Sequence, residues 1–281
     1  MTISPGQAFH QAYAEDPTGA RVGFDYTITE AFLPTKTRPR VTVRNLLPVR
    51  PATAETTRFW QENRPPRSAA QGVTEAQLRQ EATFTAGMAQ AGLHPVRAWV
   101  RIPDGLADDP AAFAEYIDYR LLVRLATAEN QALTLGEHGI LSHPALTRLP
   151  YRGDFVQGVL AACNEIEQNG ATAHAMVVNP YDWWYSMLGR SGLLSDLAAN
   201  GTLVSRTRMV APGHALVGDF AVAARLLDGG RSEIRVEEPP PGTFATPGPA
   251  VCAEIWEGLA IHLPTHFFSV VPVADEGWTP R

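Results

Sequence analysis

Lysine is almost absent from this chain of 281 residues: 22 of its 23 basic residues are arginines, and Lys36 stands alone. Charged contacts therefore fall to arginine, whose planar fork suits paired hydrogen bonding. Cysteine is scarce too. Cys163 and Cys252 lie far apart, each in an apolar run, and read as reduced core thiols rather than a disulfide. No stretch approaches the ~20 consecutive apolar residues of a membrane span. Residues Met1 to Glu15 lack the basic start and apolar run of a secretion signal. These absences predict a soluble, cytoplasmic protein with no membrane partner. Positive charge is in deficit, 23 basic against 29 acidic residues for a net charge of -6, so nucleic acid is not an expected partner. With 45% hydrophobic and 19% charged residues the chain as a whole is not disordered. Its length suits one large unit or two that share a sheet.

Catalytic motifs are missing as well. Among the eight histidines the close pairs are His138 with His143 and His262 with His266. Pro264 interrupts the second pair and no HExxH glutamate accompanies it. Gly189-Arg190-Ser191-Gly192 lacks the spacing of a GxSxG nucleophile elbow, and no GxxxxGK or GxGxxG phosphate loop stands between a strand and a helix. Asp104, Asp108 and Asp109 read as partners of a helix dipole, and Trp183-Trp184-Tyr185 as a core anchor. The sequence predicts no catalytic residue, no cofactor, no metal and no enzyme activity.

What is present is an ordered series of elements. Ser4-Pro5 opens a short capped helix with Phe9, Ala12 and Tyr13 on its apolar side. Residues 16–67 carry seven prolines and read as an extended arm. The segments around Phe59 and Trp99 look like the two legs of a long hairpin, the second with Val96, Ala98, Val100 and Ile102 on one face. Such a hairpin cannot bury its own faces and should lie against a neighbour. Asp109-Pro110 starts the longest helix, to about Leu135, and Asp154 to Gln168 is a second helix stopped at Asn169-Gly170. A buried strand, 173–178, leads to a helix capped by Asn179. Gly189 to Gly201 reads as an exposed loop, and strands follow at 215–220, 231–237 and 251–262. The fold class is α+β.

The order of these elements resembles the major capsid fold of tailed bacteriophages, the HK-ninety-seven-type fold. Met176-Val177-Val178-Asn179-Pro180-Tyr181-Asp182-Trp183 is similar to that family's buried strand and Asn-Pro-x-Asp-Trp helix start. Pro212-Gly213-His214-Ala215-Leu216-Val217-Gly218-Asp219-Phe220 is similar to its turn and strand ending in Val-Gly-Asp-Phe. Ala253-Glu254-Ile255-Trp256, through Ala260 to Pro264, matches its terminal strand, except that Trp256 stands where arginine is usual. The resemblance covers about residues 40–273. It implies an N-terminal helix and arm (1–40), an extended hairpin region (41–105), a peripheral domain with the spine helix (106–172), an axial domain (173–235) and return strands (236–281).

Three departures point to one branch of the resemblance. Only some forty residues precede the first capsid-like strand, which leaves little room for a scaffolding segment. The hairpin, residues 56–102, contains no lysine, and Pro247 stands where a cross-linking asparagine would be, although Glu254 occupies the place of the assisting acid. Isopeptide cross-linking is therefore not expected. The remaining branch is the encapsulins, and the opening residues favour a divergent group associated with natural-product biosynthesis. The resemblance implies self-assembly into an icosahedral shell of about 60 copies or a multiple, with a cargo protein inside. By the same analogy Phe9, Ala12 and Tyr13 contact cargo or, alternatively, tether the arm to the spine. Arg190, Ser191, Ser195 and Asp196 rim a fivefold pore or, alternatively, are simply exposed. The competing reading is a phage or prophage capsid protein that encloses DNA.

Overall fold

The computed structural model describes residues 3–26, 42–62, 86–245 and 248–273. Helix α1 (Pro5–Glu15) forms where the cap chemistry puts it: the Ser4 hydroxyl accepts the Gln7 N–H at 3.1 Å, and the Gln7 side chain accepts the Ser4 N–H at 2.9 Å. A helix this short is marginal alone, and it docks through Phe9, which is wholly buried and stacks on Phe113 with ring centroids 6.1 Å apart. Gly6 permits the close approach, because a Cβ there would lie 2.2 Å from the Ala114 carbonyl oxygen.

The spine runs from α2 (Pro110–Tyr116) through a widened π turn (Ile117–Leu121) into α3 (Leu122–Leu135). Asp109 caps it by accepting the Ala111 and Ala112 N–H groups. The π turn inserts one extra residue into the helical repeat. Leu121 and Leu122 consequently both reach the core that holds Phe113, Ile117 and Leu125, which is why the sequence shows apolar residues around more than one face.

The spine packs on a sheet built from β1 (Arg21–Gly23), β5 (His94–Val100), β10 (Ala224–Glu237) and β11 (Ala250–Ile261), in the order β1-β10-β11-β5 with all neighbours antiparallel. Strand β2 (Val49–Pro51) pairs in parallel with the other end of β10. Val96, Ala98 and Val100 face the spine with Val251, Ala253 and Ile255, as their alternation predicts. The expected hairpin is different. Strand β3 (Thr56–Glu62) pairs with β4 (Ala86–Gly92), whereas the Trp99 strand, β5, lies in the main sheet beside β11. The sequence Ala-Gly-Met-Ala-Gln-Ala-Gly of β4 has no β-branched residue, so its pairing left no strand signal.

A second sheet has the order β6-β12-β9-β7-β8, from β6 (Thr147–Tyr151), β7 (Ala175–Val178), β8 (Leu203–Arg206), β9 (Ala215–Gly218) and β12 (Phe267–Pro272). Helix α4 (Phe155–Gln168) covers it with Val156, Val159, Ala162 and Ile166. This helix ends at Gly170, whose φ of +81° only glycine adopts freely; the Gly170 N–H reaches the Glu167 carbonyl and the Ala171 N–H the Ile166 carbonyl. Strand β6 and α4, placed with the spine, belong to the second sheet, and β10 is one continuous strand of the first across position 235. The expected loop at 189–201 contains a helix, α6 (Leu193–Ala199), which inserts Leu197 into the same core.

Between the sheets lies a third core. Val43, Leu46 and Leu47 of the arm pack there with Leu133 and Ile140 from the end of the spine and with Phe220, Leu226, Ile261 and Phe267.

Candidate assembly surfaces

The residues that carry the sequence motifs hold one another. The Asn179 side chain accepts the Tyr181 N–H at 2.8 Å and donates to the Val210 carbonyl at 2.7 Å. Asp182, in helix α5 (Pro180–Asp182), accepts the Gly213 N–H at 2.8 Å, and burial raises its carboxyl above the usual range. Asp219 caps α7 (Phe220–Ala223) by accepting the Val222 N–H and also accepts the Thr172 N–H. A Cβ on Gly218 would meet the Phe267 ring at 2.2 Å. These residues fix the turns of the second sheet.

Among the described residues, exposed apolar side chains occur singly, as at Ile3, Val49 and Val222, and lie side by side on the hairpin and after Asn179. On the hairpin, Phe59 and Ala91 pack toward Leu227 and Ala260, while the cross-strand pair Trp60 and Met88 points away and is 64% and 56% exposed. The end of this ladder farthest from its root is fixed to the end of β11: the Glu62 N–H donates to the His262 carbonyl at 2.8 Å and the Gln61 amide to the Ile261 carbonyl at 2.9 Å. The second patch follows Asn179, where a π turn (Trp183–Met187) continues α5. Expected as a core anchor, the aromatic cluster instead turns outward: Trp184 is 58% and Tyr185 76% exposed, with Tyr181 and Leu188 beside them. Asp182 and Met187 occupy the inner face of this turn, and only Trp183 is half-buried, under the Arg206 guanidinium. Exposed aromatic patches of this kind mark protein contacts.

The predicted site residues separate in character. Phe9 is buried, and Ala12 and Tyr13 are half-buried against the same spine core, with the Tyr13 ring 5.3 Å from that of Phe113. Arg190, Ser191, Ser195 and Asp196 are all exposed at one end of the second sheet. Arg190 pairs with Asp154, and the Ser195 hydroxyl donates to the Gly192 carbonyl at 2.7 Å.

Two charge networks escaped the sequence reading. In the first, Arg44 of the arm is buried and donates to Glu129 of the spine at 2.9 Å, to Glu257 of β11 at 3.3 Å and to Asp228 of β10 at 3.0 Å. The Tyr26 hydroxyl donates to Glu129 at 2.8 Å. Burial and the adjacent Glu129 carboxylate push Glu257 well above the usual range, and its Oε1 has no donor facing it. Glu257 is therefore the member of this cluster that burial and its acidic neighbour drive toward the protonated form. In the second network Glu254 accepts from Arg97, Arg235 and the Trp256 indole. Burial alone would raise Glu254, but these hydrogen bonds outweigh it and hold the carboxyl below its usual range. Trp256 stands in for the usual arginine, and neighbouring strands supply the positive charge. Lys36 and Pro247 lie outside the described residues.

Cys163 and Cys252 are both free thiols; burial pushes Cys163 up to about 11 and Cys252 further. Among the described residues no group of three His, Cys, Asp or Glu side chains could hold a metal ion, and no helix is long and apolar enough to cross a membrane.

Residues 27–184 match the phage capsid family. The chain belongs to that family. No curated protein sequence matches it. Among solved structures, a virus-like particle from Pyrococcus furiosus is similar with a TM-score of 0.56 and 12% identity, covering 82% of this chain and 92% of that one. The capsid of a native GTA particle gives 0.54 and 17%, covering 82% and 89%. Mycobacterium phage Cain gives 0.56 and 10%, covering 89% and 99%. The α+β fold is the HK-ninety-seven-type capsid fold, and this phage capsid family member is a shell-forming, self-associating structural protein.

Proposed function

We propose that this capsid-family protein is the shell subunit of an encapsulin-type nanocompartment, a closed icosahedral particle of about 60 copies or a multiple that encloses a cargo enzyme in the bacterial cytoplasm. The observation that carries the assembly is the hairpin: its Trp60 and Met88 face has no partner among the described residues of its own chain, and a neighbouring subunit covers it. The net charge of -6 supports protein rather than DNA as the content, since an acidic shell repels a phosphate backbone. The lysine-free segment 56–102 supports a shell held without covalent links. The enclosed enzyme belongs to natural-product biosynthesis on this reading.

Phe9 fixes α1 from beneath, and the half-buried Ala12 and Tyr13 offer the remaining edge of that helix to cargo. Deleting residues 1–16 is expected to abolish cargo loading while shells still form; unchanged loading overturns this role. Arg190, Ser191, Ser195 and Asp196 rim the fivefold pore. Neutralising Arg190 and Asp196 is expected to change small-molecule entry, and unaltered cargo turnover counts against the assignment.

The similarity to phage and GTA capsids favours a second reading, a phage or prophage capsid that encloses DNA. Electron microscopy of purified particles, with nuclease treatment and identification of the contents, separates the two. Closed shells with a co-purified enzyme and no nucleic acid are expected. Protected DNA establishes the second reading, and small species alone refute both.

A further inference from the structure

One side of the spine forms the wall of a cleft of about 880 Å³, closed on the other sides by β5 and by the segments at 208–209 and 243–244. Arg120, Arg124 and Arg208 line it, all exposed, with Tyr119, Val123 and Phe244 between them. None of these three arginines has an ion-pair partner among the described residues, and Arg120 only lies over the Tyr119 ring at 5.6 Å. Three unpaired guanidinium groups in one concave surface of a chain with net charge -6 call for an anionic occupant.

The same chain carries the complement at the other end of the same helix. Asp104, Asp108 and Asp109 are exposed just before the spine and have no ion-pair partner among the described residues; Asp109 only caps the first turn. Asp109 and Arg124 are fifteen positions apart on the spine. At ~1.5 Å per residue that is roughly 22 Å, more than the two side chains can bridge. The two patches cannot satisfy each other within one subunit. They can between subunits placed head to tail, the heterologous arrangement that closes into rings.

Resting on the reading of the protein as a shell subunit, we infer that the arginine cleft of one copy receives the Asp104–Asp109 segment of the next. A nucleic acid would also satisfy the arginines, but the excess negative charge of the chain opposes a polyanion, while assembly supplies the acidic segment in equal number.

The experiment reverses each patch and then both. Arg120→Glu with Arg124→Glu is expected to raise the concentration needed for particle formation by at least about tenfold, since like charges then face each other. Asp104→Arg with Asp108→Arg is expected to do the same. The chain carrying all four changes, which keeps the formal net charge at -6, is expected to assemble again. Circular dichroism melts check that each chain is folded, and sedimentation with electron microscopy reads assembly. If the groove variant fails to fold, the aspartate variant carries the test alone, because its positions are exposed and normal assembly then overturns the inference. Failure of the combined variant to recover while it melts normally overturns it. So does a groove variant that assembles normally but loses co-purifying nucleic acid, which identifies a polyanion as the occupant. A wild-type chain that forms no particles refutes the shell reading itself, whereas a wild type and a groove variant that assemble equally refute only this contact.

Discussion

Glu257→Gln is expected to flatten the pH dependence of unfolding above pH 4.5 while leaving the fold intact at the acid end. Glu257 is almost wholly buried, and both burial and the neighbouring Glu129 carboxylate raise its pKa in the folded chain. In the unfolded chain it titrates near the ordinary 4.5. Below that value the group holds its proton in both states and contributes no pH dependence. As pH rises from 4.5 toward the folded value, unfolding releases a proton that folding must take back, so stability falls by up to about 1.4 kcal/mol per pH unit. Glutamine is neutral throughout. Its carbonyl can still accept from Arg44. The measurement is the difference in melting temperature between variant and wild type from pH 4.5 to 8.5. It should be near zero at the acid end and grow in favour of the variant as pH rises. A constant difference, or a variant weaker at every pH, would refute the protonated assignment and make Glu257 an ionised partner of Arg44. Arg44→Met is the companion measurement. It leaves Glu129 buried without its cation and should cost about 3–5 kcal/mol.

Phe113→Ala removes the ring on which Phe9, His10 and Tyr13 all rest; a loss of about 3–5 kcal/mol is expected, with new protease cleavage in the segment joining α1 to β1. Gly6→Ala should free the same helix, because its Cβ would lie 2.2 Å from the Ala114 carbonyl oxygen; limited proteolysis reads it. Trp60→Ala, at an exposed position, should leave the melting of dispersed subunits within about 0.5 kcal/mol of wild type yet weaken assembly by about 2 kcal/mol per contact, measured by the concentration at which particles appear.

The helix ends were readable in the sequence because capping is local. Ser4, Asp109, Asp154 and Asn179 each accept N–H groups two or three residues on, so spacing alone reveals them. The capsid resemblance was readable for a related reason. Asn179 and Asp182 reach Val210 and Gly213, so two of the three motifs that carried the resemblance are the two sides of one junction. What escaped depends on residues distant in the chain. Nothing near Arg44 announces that Glu129, Asp228 and Glu257 converge on it. The small residues of β4 gain a strand only because β3 and β11 pass beside them, and a Cβ on Gly258 would lie 2.3 Å from the Gly92 carbonyl oxygen. The outward turn of Trp184 and Tyr185 was hidden by their hydrophobicity, which describes a core and an interface equally well.

The position of Arg44 also bears on how the subunit can change shape. The arm residues Val43, Leu46 and Leu47 fill the core between the two sheets, and Arg44 beside them ties spine, β10 and β11 together. Moving one sheet against the other would open that core and expose buried carboxylates, a cost of several kcal/mol. The hairpin is held more lightly: it rests on the sheet through one half-buried face and a few hydrogen bonds that join Trp60, Gln61 and Glu62 to Ile261 and His262, and moving it uncovers no buried carboxylate network. Adjustment to neighbours of differing angle should therefore fall on the hairpin while the two sheets move as one tile. Hydrogen exchange on free and assembled protein separates the alternatives. Protection gained on assembly should appear in β3 and β4, with little change in β7, β9 or β11. Equal gains in the inner strands would show that the sheets themselves rearrange.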